Sequence, residues 1–166
     1  MKHSRDLEES VRCFAAITIS AAWRMKTSKL VERLSRTDSG RSVRWSRADK
    51  LHVTLCFLGN VEASQIPSLS DELRGACRCH LAFSIAANGV GLFPEIGSPK
   101  VLWVSISNQC NALSDLARSV NRVCRQFSES PDPKPFRAHM TIGRVRGQIA
   151  RDRLKAIEEE AGRFAL

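Results

Sequence analysis

Apolar residues change their spacing along the chain, and this predicts an irregular alternation of strands and helices. Short apolar runs bounded by polar turn residues are typical of strands, whereas apolar residues three or four positions apart are typical of helices. The predicted strands lie at 13–19, 43–45, 51–58, 81–93, 101–107 and 136–145. The predicted helices lie at 21–35, 62–78, 109–127 and 150–160. Because this order lacks a strict β-α-β rhythm, an α+β fold is favoured over a doubly wound sheet.

Two of the predicted helices have distinct sequence signals. The helix over 109–127 has the most regular amphipathic pattern, with apolar residues at helical spacing. These residues are Leu113, Leu116, Ala117, Val120, Cys124 and Phe127. Ser20 precedes the helix over 21–35 and is expected to cap it, because a serine oxygen accepts a hydrogen bond from a first-turn N–H group.

Length and composition limit the class of protein. A chain of 166 residues fits one domain or two small lobes. Hydrophobic residues make up 43% and charged residues 26%, which argues against global disorder. No apolar run approaches the roughly 20 residues of a membrane span, so no membrane partner is expected.

The chain carries a net charge of +9, and arginine dominates the excess with 19 Arg against 7 Lys. The basic residues are concentrated in residues 21–50 and 101–146. The guanidinium group matches phosphate oxygens in geometry, so a clustered arginine excess indicates a phosphate-bearing partner. A basic surface that serves only solubility is the alternative, and charge alone leaves both open.

The cysteines indicate a reducing compartment. Six are present, at positions 13, 56, 77, 79, 110 and 124. The chain is not short, and most of these residues lie in apolar patterns, so buried reduced thiols are favoured over a disulfide framework. A cytoplasmic location is therefore expected.

Two predicted strands contain the same polar pair in an apolar context. One strand carries His52 and Thr54, and the other carries His139 and Thr141. Residues two apart on a strand point to the same face, so each histidine shares a face with its threonine. A polar pair on an otherwise apolar strand is costly unless that face is wet or functional. A single such pair is typical of a hydrogen-bonded strand histidine, but two copies favour a functional site.

Two histidine–threonine pairs suit in-line displacement at phosphorus. One imidazole can take a proton from the attacking group while the other gives a proton to the leaving oxygen. An ordinary histidine pKa of about 6.5 allows one ring to be neutral and one charged near neutral pH. The threonine hydroxyls can hold the non-bridging oxygens. This scheme requires no covalent nucleophile and no metal ion or other cofactor, provided that cationic groups balance the developing charge.

These motifs and their flanks resemble the 2H phosphoesterase superfamily, in its LigT-like branch of RNA 2′,3′-cyclic phosphodiesterases, also called 2′-5′ RNA ligases. The resemblance covers residues 12–146. It rests on the two motifs and on residues 12–17, 43–45, 91–94 and 101–104. It implies a bilobed α+β fold in which two antiparallel sheets face a central cleft and helices lie outside.

The resemblance also implies the reaction, which is metal-independent hydrolysis of an RNA 2′,3′-cyclic phosphate to a 2′-phosphomonoester. His52 matches the family's proton donor and His139 its proton acceptor, with Thr54 and Thr141 beside them. The implied partner is RNA with a cyclic phosphate end, including tRNA fragments, bound by a monomeric enzyme. The alternatives are a 2′-5′ RNA ligase, a phosphodiesterase of small cyclic nucleotides, and an RNA-binding module without catalysis.

The chain departs from the family pattern in two places. Ala138 stands where relatives usually have Pro, and relatives usually continue beyond the equivalent of Leu166 into further strands. The expected organisation is therefore a single bilobed domain over residues 1–166 that lacks the family's C-terminal strands.

Further residues are candidates for contact with the substrate. The set comprises two arginines beside the second motif and two aromatic residues that could stack on a base, namely Arg137, Arg144, Phe14 and Trp45. Phe93 is a similar aromatic residue, and core packing is the favoured alternative for Phe93, Trp45 and Phe14 alike. Cys77, Cys79 and His80 resemble half of a zinc site but lack a second ligand pair at matching spacing, so no metal site is expected.

Overall fold

The computed structural model describes residues 9–128, 135–149 and 151–162. The strands are β1 (Ser10–Thr18), β2 (Val43–Trp45), β3 (His52–Glu62), β4 (Ile85–Phe93), β5 (Val101–Asn108) and β6 (His139–Val145). The helices are α1 (Ala21–Ser35), α2 (Ile66–Arg78), α3 (Ala112–Phe127) and α4 (Arg151–Gly162). This is the α+β fold that the sequence predicts. Within the described ranges, no helix is long and apolar enough to cross a membrane.

The chain divides into two compact units, each assembled from three separate segments. Described residues within Met1–Ala16, Thr54–Phe83 and Gln109–Arg137 form the first unit. Those within Ile17–Val53, Ser84–Asn108 and Ala138–Leu166 form the second. The boundary falls inside β3, so His52 and Val53 belong to the second unit and the rest of the strand to the first.

The second unit is built on an antiparallel sheet whose central strand is β6. One edge of β6 pairs with β5, which in turn pairs with β4. The other edge pairs with β2 and, at Val53 opposite Met140, with the start of β3. Helices α1 and α4 complete this unit, and both contribute fully buried apolar residues to the core, as do strands β5 and β6. Residues in this core are Leu30, Leu34, Leu102, Val104, Met140, Ile142, Leu154 and Ile157. Each such burial contributes roughly 1.5–3 kcal/mol.

The first unit combines β1, most of β3, α2 and α3. Helix α3 lies against β3, and two of its polar groups bind carbonyl oxygens of that strand. Asn121 Nδ2 donates to the Leu55 carbonyl at 2.9 Å, and Ser128 Oγ donates to the Leu58 carbonyl at 2.7 Å. These bonds satisfy strand carbonyls that would otherwise be buried without a partner, so they fix the helix along the strand.

Several element boundaries differ from the sequence prediction. The strand predicted over 51–58 continues to Glu62, because Gly59 accepts a φ of +75° and Val61 returns to the core. The strand predicted from residue 81 begins only at Ile85, and Leu81 is 91% exposed. The last strand begins at His139 rather than at residue 136. The Ser20 cap is confirmed, since its Oγ accepts from the Trp23 N–H at 3.2 Å.

The cysteines are less buried than the sequence predicts. All six lie among the described residues, and no disulfide joins any two of them. Only Cys56 and Cys124 are buried, however, while Cys77, Cys79 and Cys110 are exposed. The prediction of reduced thiols is confirmed, and that of general burial is wrong, because Cys77 and Cys79 lie at the solvent-facing end of α2.

Candidate active site

The two histidine-containing strands are neighbours in the second unit. Val53 of β3 pairs with Met140 of β6 in antiparallel register, and both side chains are completely buried. Side chains alternate between the faces of a strand, so the residues on either side of this pair point away from the core. His52, His139 and Thr141 are accordingly half-buried. The expectation that the two motifs lie on neighbouring strands is confirmed.

The same register fixes how the two histidines are spaced. It places Thr141 opposite His52, and His139 two residues back along β6, diagonal to His52. Diagonal neighbours on one face of an antiparallel pair are about 7–8 Å apart. A tetrahedral phosphorus group with a ring nitrogen on each side fits such a separation. Thr54 lies two residues after His52 on β3 and shares its face of that strand.

A backbone contact fixes the tautomer of His52. Its Nδ1 lies 2.6 Å from the carbonyl oxygen of Lys50. A carbonyl oxygen can only accept, so Nδ1 carries the hydrogen in this bond. The other ring nitrogen, Nε2, is therefore the atom that can exchange a proton with a ligand.

Two aromatic rings, those of Phe93 and Trp103, lie against the imidazole of His139. Phe93 stacks on Trp103, with ring centroids 4.6 Å apart and planes inclined by 19°. The imidazole of His139 is perpendicular to Phe93 at 5.3 Å and steeply inclined to Trp103 at 6.2 Å. These rings restrict the rotation of the imidazole and exclude water from that side.

A glycine makes room for this aromatic pair. Gly91 lies opposite Trp103 in the β4–β5 register, and a Cβ atom at this position would come within 2.5 Å of the indole ring. Phe93 and Trp103 were not predicted to adjoin the histidine. The sequence did contain a signal for this contact: Phe93 belongs to the segment 91–94 and Trp103 to the segment 101–104, which lie in two consecutive predicted strands.

The remaining candidate substrate contacts are distributed over both units. Trp45 has a structural role, since its Nε1 donates to the Gly40 carbonyl at 3.1 Å and its ring covers the backbone of Gly143. Phe14 lies in the first unit, is 51% exposed and has its ring 6.2 Å from that of Phe57. Arg137 is an exposed residue of the first unit.

Arg144 lies on the same face of β6 as His139, farther along the strand. It is five residues after His139, but the register with β5 shifts by one residue between Leu102 and Trp103, so Arg144 lies opposite Val101 on the face that also carries Thr141. That Arg144 contacts the same phosphate as His139 stays a prediction, with which this placement is consistent. Arg144 also lines a cavity with three other cationic residues.

Metal-binding residue types are dispersed in the described ranges. No group of three or more His, Cys, Asp or Glu residues there is arranged to hold a metal ion. The segment resembling half of a zinc site has other contacts: His80 Nε2 lies 3.0 Å from Ser119 Oγ, and Cys79 Sγ lies 3.6 Å from the Gly75 carbonyl.

Comparison with known proteins points to one family. The family model described as LigT like Phosphoesterase matches residues 17–103. An RNA 2′,3′-cyclic phosphodiesterase of Archaeoglobus fulgidus is 32% identical over 136 residues, which are 82% of this chain and 73% of the relative. One from Methanothermobacter thermautotrophicus is 29% identical over 144 residues, or 87% of this chain and 76% of the relative. The crystal structure of E. coli LigT in apo form superposes with a TM-score of 0.66 at 26% identity, covering 86% of this chain and 76% of that one.

Proposed function

The chain belongs to the LigT-like phosphoesterase family, and we propose that it hydrolyses RNA 2′,3′-cyclic phosphodiesters to 2′-phosphomonoesters by two-histidine catalysis without a metal ion. The names of the curated relatives support the substrate. The observation that carries the mechanism is the antiparallel pairing of Val53 with Met140, which sets two imidazoles diagonally on one face. We further propose that the enzyme acts in the cytoplasm as a monomer, with tRNA fragments among its substrates.

In this mechanism His139 acts as the proton acceptor. It takes a proton from a water molecule whose oxygen attacks phosphorus, so that a new P–O bond forms. The edge-on contact with Phe93 holds the imidazole in one orientation for this transfer. Fixing the acceptor in place removes a rotational cost from the reaction step.

His52 acts as the proton donor on the opposite side of phosphorus. The bond from phosphorus to the 3′ oxygen breaks as Nε2 of a protonated His52 gives that oxygen its proton. The Lys50 carbonyl already binds Nδ1–H, so the proton that leaves is the one on Nε2. The hydroxyl groups of Thr54 and Thr141 donate hydrogen bonds to the non-bridging oxygens, where negative charge accumulates.

The test is a product assay on an oligoribonucleotide with a 2′,3′-cyclic phosphate end, with separation of 2′- from 3′-phosphate products. We expect only the 2′-phosphomonoester. Formation of a 3′-phosphate, or binding without turnover, would contradict the proposal.

Histidine variants sharpen this test. His52→Ala and His139→Ala should both abolish most of the turnover. His80→Gln is the matched control, because His80 belongs to the first unit and contacts Ser119. Full activity in either motif variant would contradict the assigned roles.

A further inference from the structure

Ser105 of β5 is the residue directly across the sheet from His139. The β5–β6 register pairs Ser105 with His139, and it pairs Trp103 with Thr141. Side chains directly opposite each other on paired strands lie on the same face of the sheet. Ser105 therefore shares a face with the histidine that we propose as the proton acceptor, and both residues belong to the second unit.

The hydrogen-bond pattern brings these two side chains close together. The Ile106 N–H donates to the Ala138 carbonyl at 3.1 Å, so this bond is made by the residues that flank the Ser105–His139 pair. Ser105 and His139 are thus a non-hydrogen-bonded pair, the type with the shorter Cα–Cα distance of about 4.5 Å. Their Cβ atoms are then roughly 4.5–5.5 Å apart, which allows one water molecule to bridge the hydroxyl and the imidazole.

The Ser105 hydroxyl is available for such a contact. Ser105 is half-buried, and its oxygen is not closed off from solvent. Within the part of the chain that the structure describes, this hydroxyl makes no hydrogen bond. Ser107 lies two residues farther along the same face and differs in this respect, because its Oγ accepts a hydrogen bond from Asn88 Nδ2. Of these two serines, Ser105 is therefore the one whose hydroxyl can bind a water molecule beside His139.

The attacking water molecule has two protons, and the proposed mechanism transfers only one of them. His139 takes that proton, so the second O–H group needs an acceptor that holds the water in place. The aromatic neighbours of His139 do not supply one, because Phe93 has no polar atom and the indole N–H of Trp103 only donates. A serine hydroxyl has two acceptor lone pairs and meets this need.

We infer that Ser105 is a water-positioning residue that favours hydrolysis over attack by an alcohol. This inference rests on the proposed function and adds the choice of nucleophile at the same site. One O–H group of the water is directed to His139 and the other to Ser105 Oγ, which leaves the lone pairs of the water oxygen free to point at phosphorus. The new P–O bond forms as His139 takes the first proton, and the bond to the 3′ oxygen breaks as His52 protonates that oxygen. The second proton stays on the product.

An alcohol would bind differently at this position. Its oxygen carries one proton, which His139 takes, and an alkyl group occupies the place of the second proton of water. No hydrogen bond to Ser105 then replaces the one that water makes, and the serine hydroxyl loses hydration without compensation. Ser105 therefore discriminates between hydrolysis of the cyclic phosphate and its transfer to an alcohol, such as the ribose hydroxyl of a second RNA.

The experiment measures how one substrate is divided between two products in a single reaction. A 2′,3′-cyclic mononucleotide is incubated with the enzyme at a fixed concentration of methanol. The 2′-phosphomonoester formed with water is then separated from the methyl ester of the 2′-phosphate formed with methanol. We expect Ser105→Ala to lower the ratio of the first product to the second by about three- to tenfold, the effect of one neutral hydrogen bond. The ratio does not depend on the amount of folded enzyme, so reduced stability alone leaves it unchanged.

Two further variants serve as controls. Ser107→Ala removes a hydroxyl from the same strand and the same face, and it should keep the wild-type ratio. Ser105→Thr keeps a hydroxyl at the position on a residue type that suits a strand, and it should also keep the wild-type ratio. A lowered ratio in either control would show that packing, and not the Ser105 hydroxyl, sets the ratio, and it would overturn the inference.

The outcomes separate this inference from the proposed function. If the wild-type protein hydrolyses neither the mononucleotide nor an oligoribonucleotide with a 2′,3′-cyclic phosphate end, the proposed function fails. If it hydrolyses them and Ser105→Ala keeps the wild-type ratio at any rate of turnover, the inference is overturned and the proposed function stands. Absence of the methyl ester from the products of Ser105→Ala also overturns the inference, because removal of the hydroxyl should admit the alcohol.

Discussion

The ring of Phe93 stands at 90° to the imidazole of His139, with the two centroids 5.3 Å apart. Such edge-to-face contacts between rings are worth about 0.5–1.5 kcal/mol beyond their buried area. Phe93 is itself held by stacking on Trp103. The aromatic pair therefore acts on the orientation of the histidine that we propose as the proton acceptor.

Replacing Phe93 should affect the chemical step more than substrate binding. We expect Phe93→Leu to lower kcat by roughly tenfold, because a 1.4 kcal/mol loss of orientation energy corresponds to tenfold in rate. The KM for a cyclic mononucleotide should change little, and Phe93→Tyr should restore most of kcat. Steady-state kinetics checks this, and an increase in KM with kcat unchanged would instead indicate that Phe93 contacts the substrate.

The two motif histidines should behave as one catalytic unit. Each single alanine variant should lose roughly 10²–10⁴ in rate, the usual contribution of one acid–base partner. The double variant should be little slower than the slower single variant, because effects within a unit are not additive. The pH profile of kcat/KM should be bell-shaped for the wild type and lose one limb in each single variant. Multiplicative losses in the double variant would show that the two residues act independently.

Chelation should leave the activity intact. The proposed chemistry uses imidazoles and cationic side chains in place of a Lewis acid, so turnover should be the same with and without excess EDTA. The measurement is hydrolysis of a 2′,3′-cyclic mononucleotide after prolonged incubation with chelator. Loss of activity that a divalent ion restores would rule out the metal-independent mechanism.

Cys124 should make the stability of the protein fall at alkaline pH. A hydrogen bond with Cys56, and then burial, raise the pKa of the Cys124 thiol above its ordinary value. The native state therefore keeps this proton above about pH 9, the ordinary pKa of a thiol, whereas the unfolded state releases it. The stabilising contribution is present below that pH and declines above it, by about 1.4 kcal/mol per pH unit for one group.

Urea unfolding between pH 7.5 and 10 measures this effect. The free energy of unfolding of Cys124→Ala should fall less steeply with pH than that of the wild type. Cys110→Ala, at an exposed position, should follow the wild-type slope. Equal slopes for all three proteins would contradict the expected linkage.

Strand periodicity was sufficient to predict which side chains of the motifs share a face. The alternation is regular over the motifs themselves, residues 52–55 and 139–142, and the buried positions Val53, Met140 and Ile142 follow it. The same rule fails at Arg144, because the register shift between β5 and β6 leaves one extra residue in β6 before Gly143 and returns Arg144 to the face of His139. Periodicity does not predict which strands pair with each other, because strand neighbours depend on the whole fold and not on local spacing.

The surroundings of His139 could not be predicted in this way. The register between β5 and β6 shifts between Leu102 and Trp103, which places Trp103 opposite Thr141. A shift of one residue moves a side chain to a different neighbour, and nothing in an apolar run marks where it occurs. The contact between His52 and the Lys50 carbonyl likewise depends on the turn before β3, whose geometry is not encoded in a periodic pattern.

The position of β6 in the sheet also determines when the histidine pair can form during synthesis. Strands β2, β3 and β5 all pair with β6, and β6 is the last of them to leave the ribosome. Until residues 139–145 emerge, the edges of those earlier strands that later pair with β6 have no such partner, and His52 has no second imidazole beside it. Nascent chains that end before β6 should therefore be inactive, and their strand edges are the surfaces on which a chaperone would act.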